Sequence, residues 1–535
     1  MFDLFVGERE QVDFSGIEPQ TLVHMRAEFD RSERNISNLA GQIKIQIRSQ
    51  FSEPVTADSR NKTKTFRILI ENLVMRRTFT ALFTVFCCLL LIQFAAGQSA
   101  VESSIDHFIR AEMERQKIPG VSLAVVRDGK PLIVKGYGFA NLEHQIHVKP
   151  ETIFQSGSVG KQFTATAVML LVEDGKIGLD EKISKYLGDV PDAWKNITIR
   201  QVLSHTSGMT DYPTDFDFRR DYTEDELLKR AKEIPLAFQP GEKWSYSNLG
   251  FVTLGVIINK VTGKFYGDLI QERIFKPLGM TTARVISEAD IVPNRASGYR
   301  LIKGEVKNQD WVSPSLNTTA DGALYMTALD MIKWDDALRN GKILKKSSLD
   351  AMWAPVKLNN GQSHPYGFGW AVRSVNGHRV IEHGGAWQGF KAHIARYVDD
   401  NLTVIVFANL AQTNQVRLAN GVAQLIVPEL KPKPIADPDP AFTARTKELL
   451  LAVLDKKADK DRFTPEMQKV LDSSDRLVEY VKTLGTLQSF TLMERAESSD
   501  GVRYRYKIEY PGMSLFLAMS VNKDGKIAGF ALQPE

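Results

Sequence analysis

The amino-acid sequence of 535 residues predicts an α/β (α+β sandwich) fold, with an antiparallel sheet flanked by helices. Three observations support this: a β-hairpin pattern near residue 120, a helix-rich stretch over residues 161–340, and a run of strand patterns over residues 367–407. One sheet would therefore be built from both ends of a single domain. The helical insert would face the last strands, which leaves a natural cleft.

The hairpin pattern follows a predicted helix over residues 104–117. Apolar residues of that helix recur at helical spacing: Ile105, Phe108, Ile109 and Met113. Pro119-Gly120 would end it. Apolar runs over residues 121–126 and 131–135 then flank Asp128-Gly129, a turn sequence typical of a tight hairpin.

Four short strand patterns late in the chain predict an antiparallel meander. They cover residues 367–372, 379–382, 392–397 and 403–407. A helix predicted from Gln415 to Val427 closes this main domain, which we place at residues 98–430.

A proline-rich stretch at residues 431–440 predicts a stiff linker. The remaining residues, 441–535, predict a small α+β accessory domain of ordinary size. Its helices are expected at 442–457 and 475–483, and its strands at 490–494, 503–510, 515–521 and 527–532. We find no catalytic set of residues in its sequence.

The N-terminal part carries the pattern of an export signal. Met75-Arg76-Arg77 precedes an apolar run over residues 79–96, and Ala95-Ala96-Gly97 supplies small residues at a cleavage point. We therefore expect a signal peptide at 75–97, an unstructured upstream extension at 1–74, and export to the periplasm or the cell exterior. The alternative is an uncleaved anchor in the inner membrane, since the apolar run is just long enough to span a bilayer.

Composition excludes several classes of function. The net charge is +4 and no dense Lys/Arg stripe is present, which argues against a nucleic-acid partner. The two cysteines, Cys87 and Cys88, both lie in the apolar run, so the folded part has no disulfide, thiolate nucleophile or cysteine metal site. The nine histidines are scattered without a His-Glu-x-x-His pattern, and no metal or organic cofactor is implied.

The first motif with chemical meaning is Ser158-Val159-Gly160-Lys161. A serine hydroxyl is a weak nucleophile until a base takes its proton, and a lysine one helical turn away can do so or hold the hydroxyl for attack. The same spacing occurs at Ser59/Lys62 and Ser520/Lys523, so spacing alone means little. Only at Ser158 does the motif lie between a strand pattern and a buried-helix pattern.

Two further motifs follow in the chain, Tyr246-Ser247-Asn248 and His383-Gly384-Gly385. Tyr246 can move a proton between Ser158 and the leaving group, and Asn248 would point the same way and hold a substrate amide or Lys161. Each segment alone also fits a loop with a packed aromatic ring.

The third motif would build the opposite side of the site. His383 would hydrogen-bond there and, when protonated, favour tyrosinate. Gly385 would let a substrate lie against the strand edge, and the backbone N–H of Ala386 would be an oxyanion donor.

With these three motifs in this order, the sequence resembles the serine β-lactamase and DD-peptidase superfamily. The similar branch contains class C β-lactamases, D-alanyl-D-alanine carboxypeptidases, D-aminopeptidases and β-lactamase-like esterases. The resemblance covers about residues 104–427 and includes two further short segments, at residues 199–209 and 322–327. It implies a β-lactamase/transpeptidase-like sheet with a helical insert, and a small-molecule or peptide substrate, with peptides derived from peptidoglycan among the candidates.

The resemblance also implies a role for each motif residue. Ser158 would be acylated, Lys161 would be its base partner and Tyr246 would be the acid/base. Asn248 would orient substrate, and the N–H groups of Ser158 and Ala386 would form the oxyanion hole. His383 would stand where many members carry lysine.

The departures from the family pattern narrow the substrate. Ser-Asp-Asn and Lys-Thr-Gly are absent, which disfavours a class A β-lactamase, and histidine at 383 weakens the grip on a substrate carboxylate. We expect an exported serine hydrolase acting on D-amino-acid peptides or β-lactam-like amides. The alternatives are a β-lactamase-like carboxylesterase and, in another class, a non-catalytic envelope module that binds cell-wall peptides. A phosphate loop and a Gly-x-Ser-x-Gly elbow are excluded, since residue 156 is serine and Gln162 follows Lys161.

Overall fold

The computed structural model describes residues 100–472, 474–498, 501–511 and 513–534. These residues belong to one compact unit, Gln98–Glu535. The predicted extension at 1–74 and signal segment at 75–97 lie outside the described residues. Within the described ranges, no helix combines the length and apolar character needed to cross a bilayer.

An antiparallel sheet forms the centre of the main domain, as the sequence predicts, and it has seven strands. Its strands come from both ends of the domain. Val121, near the start of the domain, pairs with Ala408, near its end. In spatial order the strands are Ala371–Val375, His378–Trp387, Phe390–Tyr397, Leu402–Ala408, Gly120–Arg127, Lys130–Asn141 and Ile146–His147.

The predicted Asp-Gly hairpin is confirmed. Arg127 pairs with Lys130, and the two residues between them, Asp128 and Gly129, have φ values of 51° and 75°. Positive φ at both central residues is what a two-residue turn needs to match the right-handed twist of the flanking strands.

The central strands of the sheet are buried on both faces, and alternate residues of one strand show why. Leu123 packs with the helix over residues 100–116 and with the helix Gln415–Ile426, whereas its neighbour Ala124 packs with the helical insert. Strands covered on both faces read as continuous apolar runs, which is the pattern that the sequence shows here.

The helical insert covers the face of the sheet that carries the motif residues. Its longest helices are Lys161–Glu173, Asn248–Thr262, Ala328–Arg339 and Glu224–Glu233. Shorter helices are Ser184–Leu187, Ile199–Leu203, Tyr266–Ile270, Lys276–Leu278 and Lys346–Met352, with a π-helical turn at Gln271–Phe275 and 3₁₀ turns at Gly157–Gly160, Asp192–Trp194 and Pro314–Thr318. Small strand pairs are formed by Phe154–Gln155, Leu324–Met326 and Arg284–Val285, by Tyr299–Ile302 and Glu305–Asn308, and by Val356–Lys357 and Ser363–His364.

The C-terminal part is a four-stranded antiparallel sheet with helices on one face. Its strands are Ser489–Ser498, Gly501–Tyr510, Met513–Asn522 and Ile527–Pro534, and its helices are Pro440–Leu454, Pro465–Asp472 and Asp475–Lys482, with 3₁₀ turns at Pro428–Leu430 and Lys460–Arg462. Leu450, Phe463, Tyr506 and Leu517 are at its core. The helix Pro465–Asp472 was not predicted, because eight residues are too short for a clear apolar period.

One strand is longer than predicted, and this affects the site. The pattern indicated a strand over residues 379–382 with His383 at its end, but pairing continues until Trp387 meets Phe390. The motif His383-Gly384-Gly385 therefore lies within a strand. The preceding strand begins later than predicted, at Ala371 instead of residue 367. Gly369 has a φ of 72°, which interrupts the extended backbone before that point.

Candidate active site

The predicted nucleophile lies on a tight turn just before a buried helix. Ser158 is in the 3₁₀ turn Gly157–Gly160, and Lys161 is the first residue of the helix Lys161–Glu173. The 3₁₀ turn leads directly into the helix, so Ser158 lies just before the helix begins. Lys161 is fully buried, and its Nζ lies 3.2 Å from Ser158 Oγ.

Lys161 is held by two fixed acceptors besides the serine. Its Nζ lies 2.6 Å from Asn248 Oδ1 and 2.5 Å from the backbone carbonyl oxygen of Asp321. Both oxygens can only accept hydrogen bonds. A neutral amine has two N–H groups and one lone pair, so these two oxygens take the N–H groups and the lone pair faces the Ser158 hydroxyl.

The same geometry also suits the protonated amine. A lysine ammonium has three N–H donors, and the third would point to Ser158 Oγ. Lys161 can therefore take the serine proton and return it without moving its other two hydrogen bonds. That is the requirement for a group that serves as base in one step and as acid in the next.

Asn248 is placed by the start of a helix. It is the first residue of Asn248–Thr262, and Ser247 caps this helix by accepting a hydrogen bond from Gly250 N–H at 3.0 Å. The Asn248 amide bridges two groups, since its Oδ1 accepts from Lys161 and its Nδ2 donates to Asp211 Oδ2 at 2.9 Å.

Tyr246 packs beside the lysine. Its ring centroid lies 5.0 Å from Lys161 Nζ and 4.2 Å from the centroid of the His205 ring. Its hydroxyl is buried and has no hydrogen-bond partner among the described residues. A buried hydroxyl without a partner costs about 1–3 kcal/mol, and it is free to bond to a substrate.

His205 holds the loop that carries Tyr246. Its Nδ1 accepts from Ser247 N–H at 3.1 Å, and its backbone carbonyl accepts from Ser245 N–H at 2.9 Å. Burial, aided by the positive charge of Lys161, keeps the pKa of His205 well below its usual value, so the ring is neutral. These contacts indicate that His205 fixes the shape of the loop that carries Tyr246.

His383 is neutral as well. Its Nδ1 lies 2.6 Å from the carbonyl oxygen of Gly384, so Nδ1 is the donor, and its Nε2 accepts from the Tyr366 hydroxyl at 2.8 Å. Burial, with the nearby charge of Lys161, lowers the pKa of His383 to about 3. The protonated ring expected from the sequence, which would favour tyrosinate at 246, is therefore not the form present at neutral pH.

The neutrality of His383 predicts a pH dependence of stability. An unfolded histidine titrates near 6.5, so between about pH 6.5 and pH 3 the unfolded chain binds a proton that folded His383 does not. The free energy of unfolding therefore falls as the pH falls, by up to about 1.4 kcal/mol per pH unit for this residue. We expect His383→Gln to show a shallower decline in urea unfolding between about pH 6.5 and pH 5. The exposed His144→Gln variant is the control, and equal slopes in both variants would contradict the assignment.

The strand His378–Trp387 passes close to the Ser158 turn, and a glycine lies on each side of the contact. A Cβ on Gly157 would lie 2.4 Å from Ala386 N, and a Cβ on Gly385 would lie 1.9 Å from the Ser156 carbonyl oxygen. Ala386 N is thus beside the serine turn, and its role as an oxyanion donor stays a prediction. The strand could not approach this closely with any side chain at either glycine.

This contact predicts a difference between two adjacent glycines. A methyl group at Gly385 would meet backbone at 1.9 Å, whereas one at Gly384 would meet only the ends of the Gln415 and His393 side chains, at 3.3 and 3.4 Å. We expect Gly385→Ala to lower the free energy of unfolding by about 1–3 kcal/mol and Gly384→Ala to change it much less. Urea unfolding of the two variants measures this, and equal losses would argue against the close approach of strand and turn.

Comparison with known proteins decides the family. The model of the beta-lactamase family matches residues 105–428, which is more than half of the chain. The chain belongs to the beta-lactamase family. It is a serine hydrolase of that family, which confirms the resemblance drawn from the three motifs.

Several members of the beta-lactamase family are similar to this chain. Penicillin-binding protein 4* of Bacillus subtilis is 30% identical over 325 residues, which cover 57% of this chain and 71% of that protein. A D-aminopeptidase of Gluconobacter oxydans is 30% identical over 314 residues, covering 57% of this chain and 58% of that protein.

Solved structures give the same fold. D-amino acid amidase from Ochrobactrum anthropi, complexed with L-phenylalanine amide, has a TM-score of 0.55 at 26% identity and covers 62% of this chain and 98% of that chain. An octameric penicillin-binding protein homologue from Pyrococcus abyssi has a TM-score of 0.57 at 23% identity, covering 81% and 98%, and shows likeness of fold alone. Over the described part of the chain, no cluster of three metal-ligating side chains is present.

The structure thus brings together residues from all three motifs. Ser158, Lys161 and Asn248 form one hydrogen-bonded set, Tyr246 packs against it, and Ala386 lies beside the serine turn. The roles assigned to these residues remain predictions that the experiments below test. Sequence reasoning missed Asp211 and Tyr366, which bond to Asn248 and His383.

Proposed function

We propose that the enzyme hydrolyses amide bonds of D-amino-acid amides and short D-amino-acid peptides through an acyl-enzyme on Ser158. The observation that supports this proposal is that His383 is neutral. Its two ring nitrogens are hydrogen-bonded to the Gly384 carbonyl oxygen and to the Tyr366 hydroxyl. A substrate that must dock a carboxylate would gain no cation there. A substrate amide, or the N-terminal bond of a peptide, can bind without a cation at this position. Relatives named D-aminopeptidase and D-amino acid amidase support this substrate class.

The reaction follows from the hydrogen bonds of Lys161. The amine lone pair takes the Ser158 proton as Oγ bonds to the substrate carbonyl carbon, and the carbonyl oxygen becomes an oxyanion held by the N–H groups of Ser158 and Ala386. The C–N bond then breaks, and the leaving nitrogen receives the proton through Lys161 and Tyr246. In the second half, a water molecule gives a proton to Lys161 as its oxygen bonds to the ester carbon. The bond between that carbon and Ser158 Oγ then breaks, Oγ takes the proton back from Lys161, and the carboxylic acid product leaves.

Chemical labelling and a substrate panel test this function. We expect a fluorophosphonate probe to label the wild-type protein and the Ser347→Ala control, whose serine is exposed on a helix, but not Ser158→Ala. Labelling that persists in Ser158→Ala would overturn the nucleophile. No labelling of the wild type would favour the non-catalytic binding module.

The substrate panel compares p-nitroanilides of D- and L-phenylalanine, a p-nitrophenyl ester, an acyl-D-Ala-D-Ala peptide and nitrocefin. We expect the D-anilide to be hydrolysed with kcat/KM at least about tenfold above its L enantiomer and above nitrocefin, since tenfold requires only about 1.4 kcal/mol. Turnover of the ester without turnover of either anilide would instead indicate the carboxylesterase. Preference for acyl-D-Ala-D-Ala would indicate a carboxypeptidase.

We also propose that the enzyme is exported. The support is the sequence pattern at residues 75–97. N-terminal sequencing of the protein recovered from outside the cytoplasm should give a start near Gln98, and a retained Met1 would contradict cleavage.

A further inference from the structure

Asp211 contacts the catalytic set although it belongs to none of the three motifs. It lies in a loop, where its sequence Asp211-Tyr212-Pro213 reads only as a turn. Its Oδ1 accepts from Tyr212 N–H at 2.9 Å and from Asn248 N–H at 3.2 Å, and its Oδ2 accepts from Asn248 Nδ2 at 2.9 Å. The carboxylate thus binds both the backbone and the side chain of Asn248.

These contacts leave only one orientation for the Asn248 amide. A carboxylate accepts hydrogen bonds and cannot donate, so the NH₂ end of the amide must face Asp211. The oxygen end then faces Lys161, at 2.6 Å from Nζ. The reversed amide would set its oxygen against the carboxylate and its NH₂ end toward Lys161.

The amide orientation matters for proton transfer. With Oδ1 and the Asp321 carbonyl taking two N–H groups, the remaining direction at Lys161 Nζ points to Ser158. If the amide presented its NH₂ end instead, the Lys161 lone pair would turn toward that donor and away from the serine hydroxyl. We propose that Asp211 is a positioning residue, which fixes the amide of Asn248 and thereby aims Lys161 at Ser158.

This proposal rests on the acyl-enzyme mechanism proposed above, and a swap of two side chains tests it. Asp211→Asn keeps the shape but puts an NH₂ group against Asn248 Nδ2, which favours the reversed amide. Asn248→Asp sets two carboxylates against each other. The double variant Asp211→Asn/Asn248→Asp restores a complementary pair, with residue 211 as donor and residue 248 as acceptor for both residue 211 and Lys161.

The measurement is the second-order rate of Ser158 labelling by the fluorophosphonate. We expect Asp211→Asn to lower this rate by about tenfold in the wild-type background and to raise it by a similar factor in the Asn248→Asp background, a coupling within the range of contacting polar pairs. A purely structural role for Asp211 would not reverse the sign of the same substitution. Asp215→Asn, in the same loop but exposed, is the matched control and should be neutral in both backgrounds.

The outcomes separate this inference from the proposed function. An Asp211→Asn substitution that lowers the rate in both backgrounds, or changes neither, overturns the role of Asp211 while labelling of Ser158 stands. A wild-type protein that is not labelled overturns the mechanism and this inference with it. If Asp211→Asn alone is unfolded in a thermal melt, the comparison of Asn248→Asp with the double variant carries the test.

Discussion

Lys161→Met is expected to lower the rate of Ser158 acylation by about 10²–10⁴-fold, the range typical of losing a general acid–base group. Methionine fills similar space but has neither the lone pair nor the N–H donors that Nζ directs at Ser158, Asn248 and Asp321. The serine would then have to lose its proton to water. Pre-steady-state acylation with the D-anilide, or with the fluorophosphonate, measures the change.

The control for this substitution lies at the end of the same helix. Lys176 is an exposed lysine just beyond Glu173, and Lys176→Met should leave the acylation rate unchanged. An acylation rate of Lys161→Met close to that of Lys176→Met would remove Lys161 from the mechanism and leave Tyr246 as the remaining candidate base.

Tyr246→Phe is expected to lower acylation by about 10²-fold or more while leaving stability unchanged or improved. The Tyr246 hydroxyl is buried and makes no hydrogen bond within the described residues, so its removal takes away an unsatisfied polar group. Such a removal raises the free energy of unfolding by up to about 1–3 kcal/mol. A variant that loses activity and gains stability would show that the Tyr246 hydroxyl serves catalysis and does not stabilise the fold.

Tyr266 supplies the contrast for this experiment. Its hydroxyl is also buried, but it donates to the Thr319 carbonyl oxygen at 2.8 Å. Tyr266→Phe should therefore lower the free energy of unfolding by about 1 kcal/mol with little effect on acylation. If Tyr246→Phe behaves like Tyr266→Phe in both assays, Tyr246 is a packing residue and the proton passes through Lys161 alone.

The parts of the fold that local chemistry determines could be predicted from the sequence. The hairpin is set by Asp128-Gly129, which tolerates positive φ at both positions, and the late strands are set by apolar runs between short turns. The extent of the strand His378–Trp387 could not be predicted, because two adjacent glycines read as a turn. They continue the strand here, and a side chain at Gly385 would collide with the backbone of Ser156.

Contacts between distant loops could not be predicted. Asp211 and Tyr366 each lie in a turn-rich stretch with no periodic pattern, and each acquires its role by meeting a residue from another element, Asn248 and His383 respectively. The charge of His383 depends on burial, which no local pattern specifies at that position. The motif residues could be predicted because the three motifs occur in one order that resembles a known family, although each motif alone also fits an ordinary loop.

The pairing of Val121 with Ala408 has a consequence for biogenesis. While the ribosome is making the long insert, the strand Gly120–Arg127 has left the exit tunnel with the N–H and C=O groups of one edge unpaired. The sheet closes only after nearly the whole catalytic domain has been synthesised, and long-range pairing of this kind is slow and exposed to aggregation. Until Leu402–Ala408 has been made, the exposed backbone edge of Gly120–Arg127 is a place where another chain could pair.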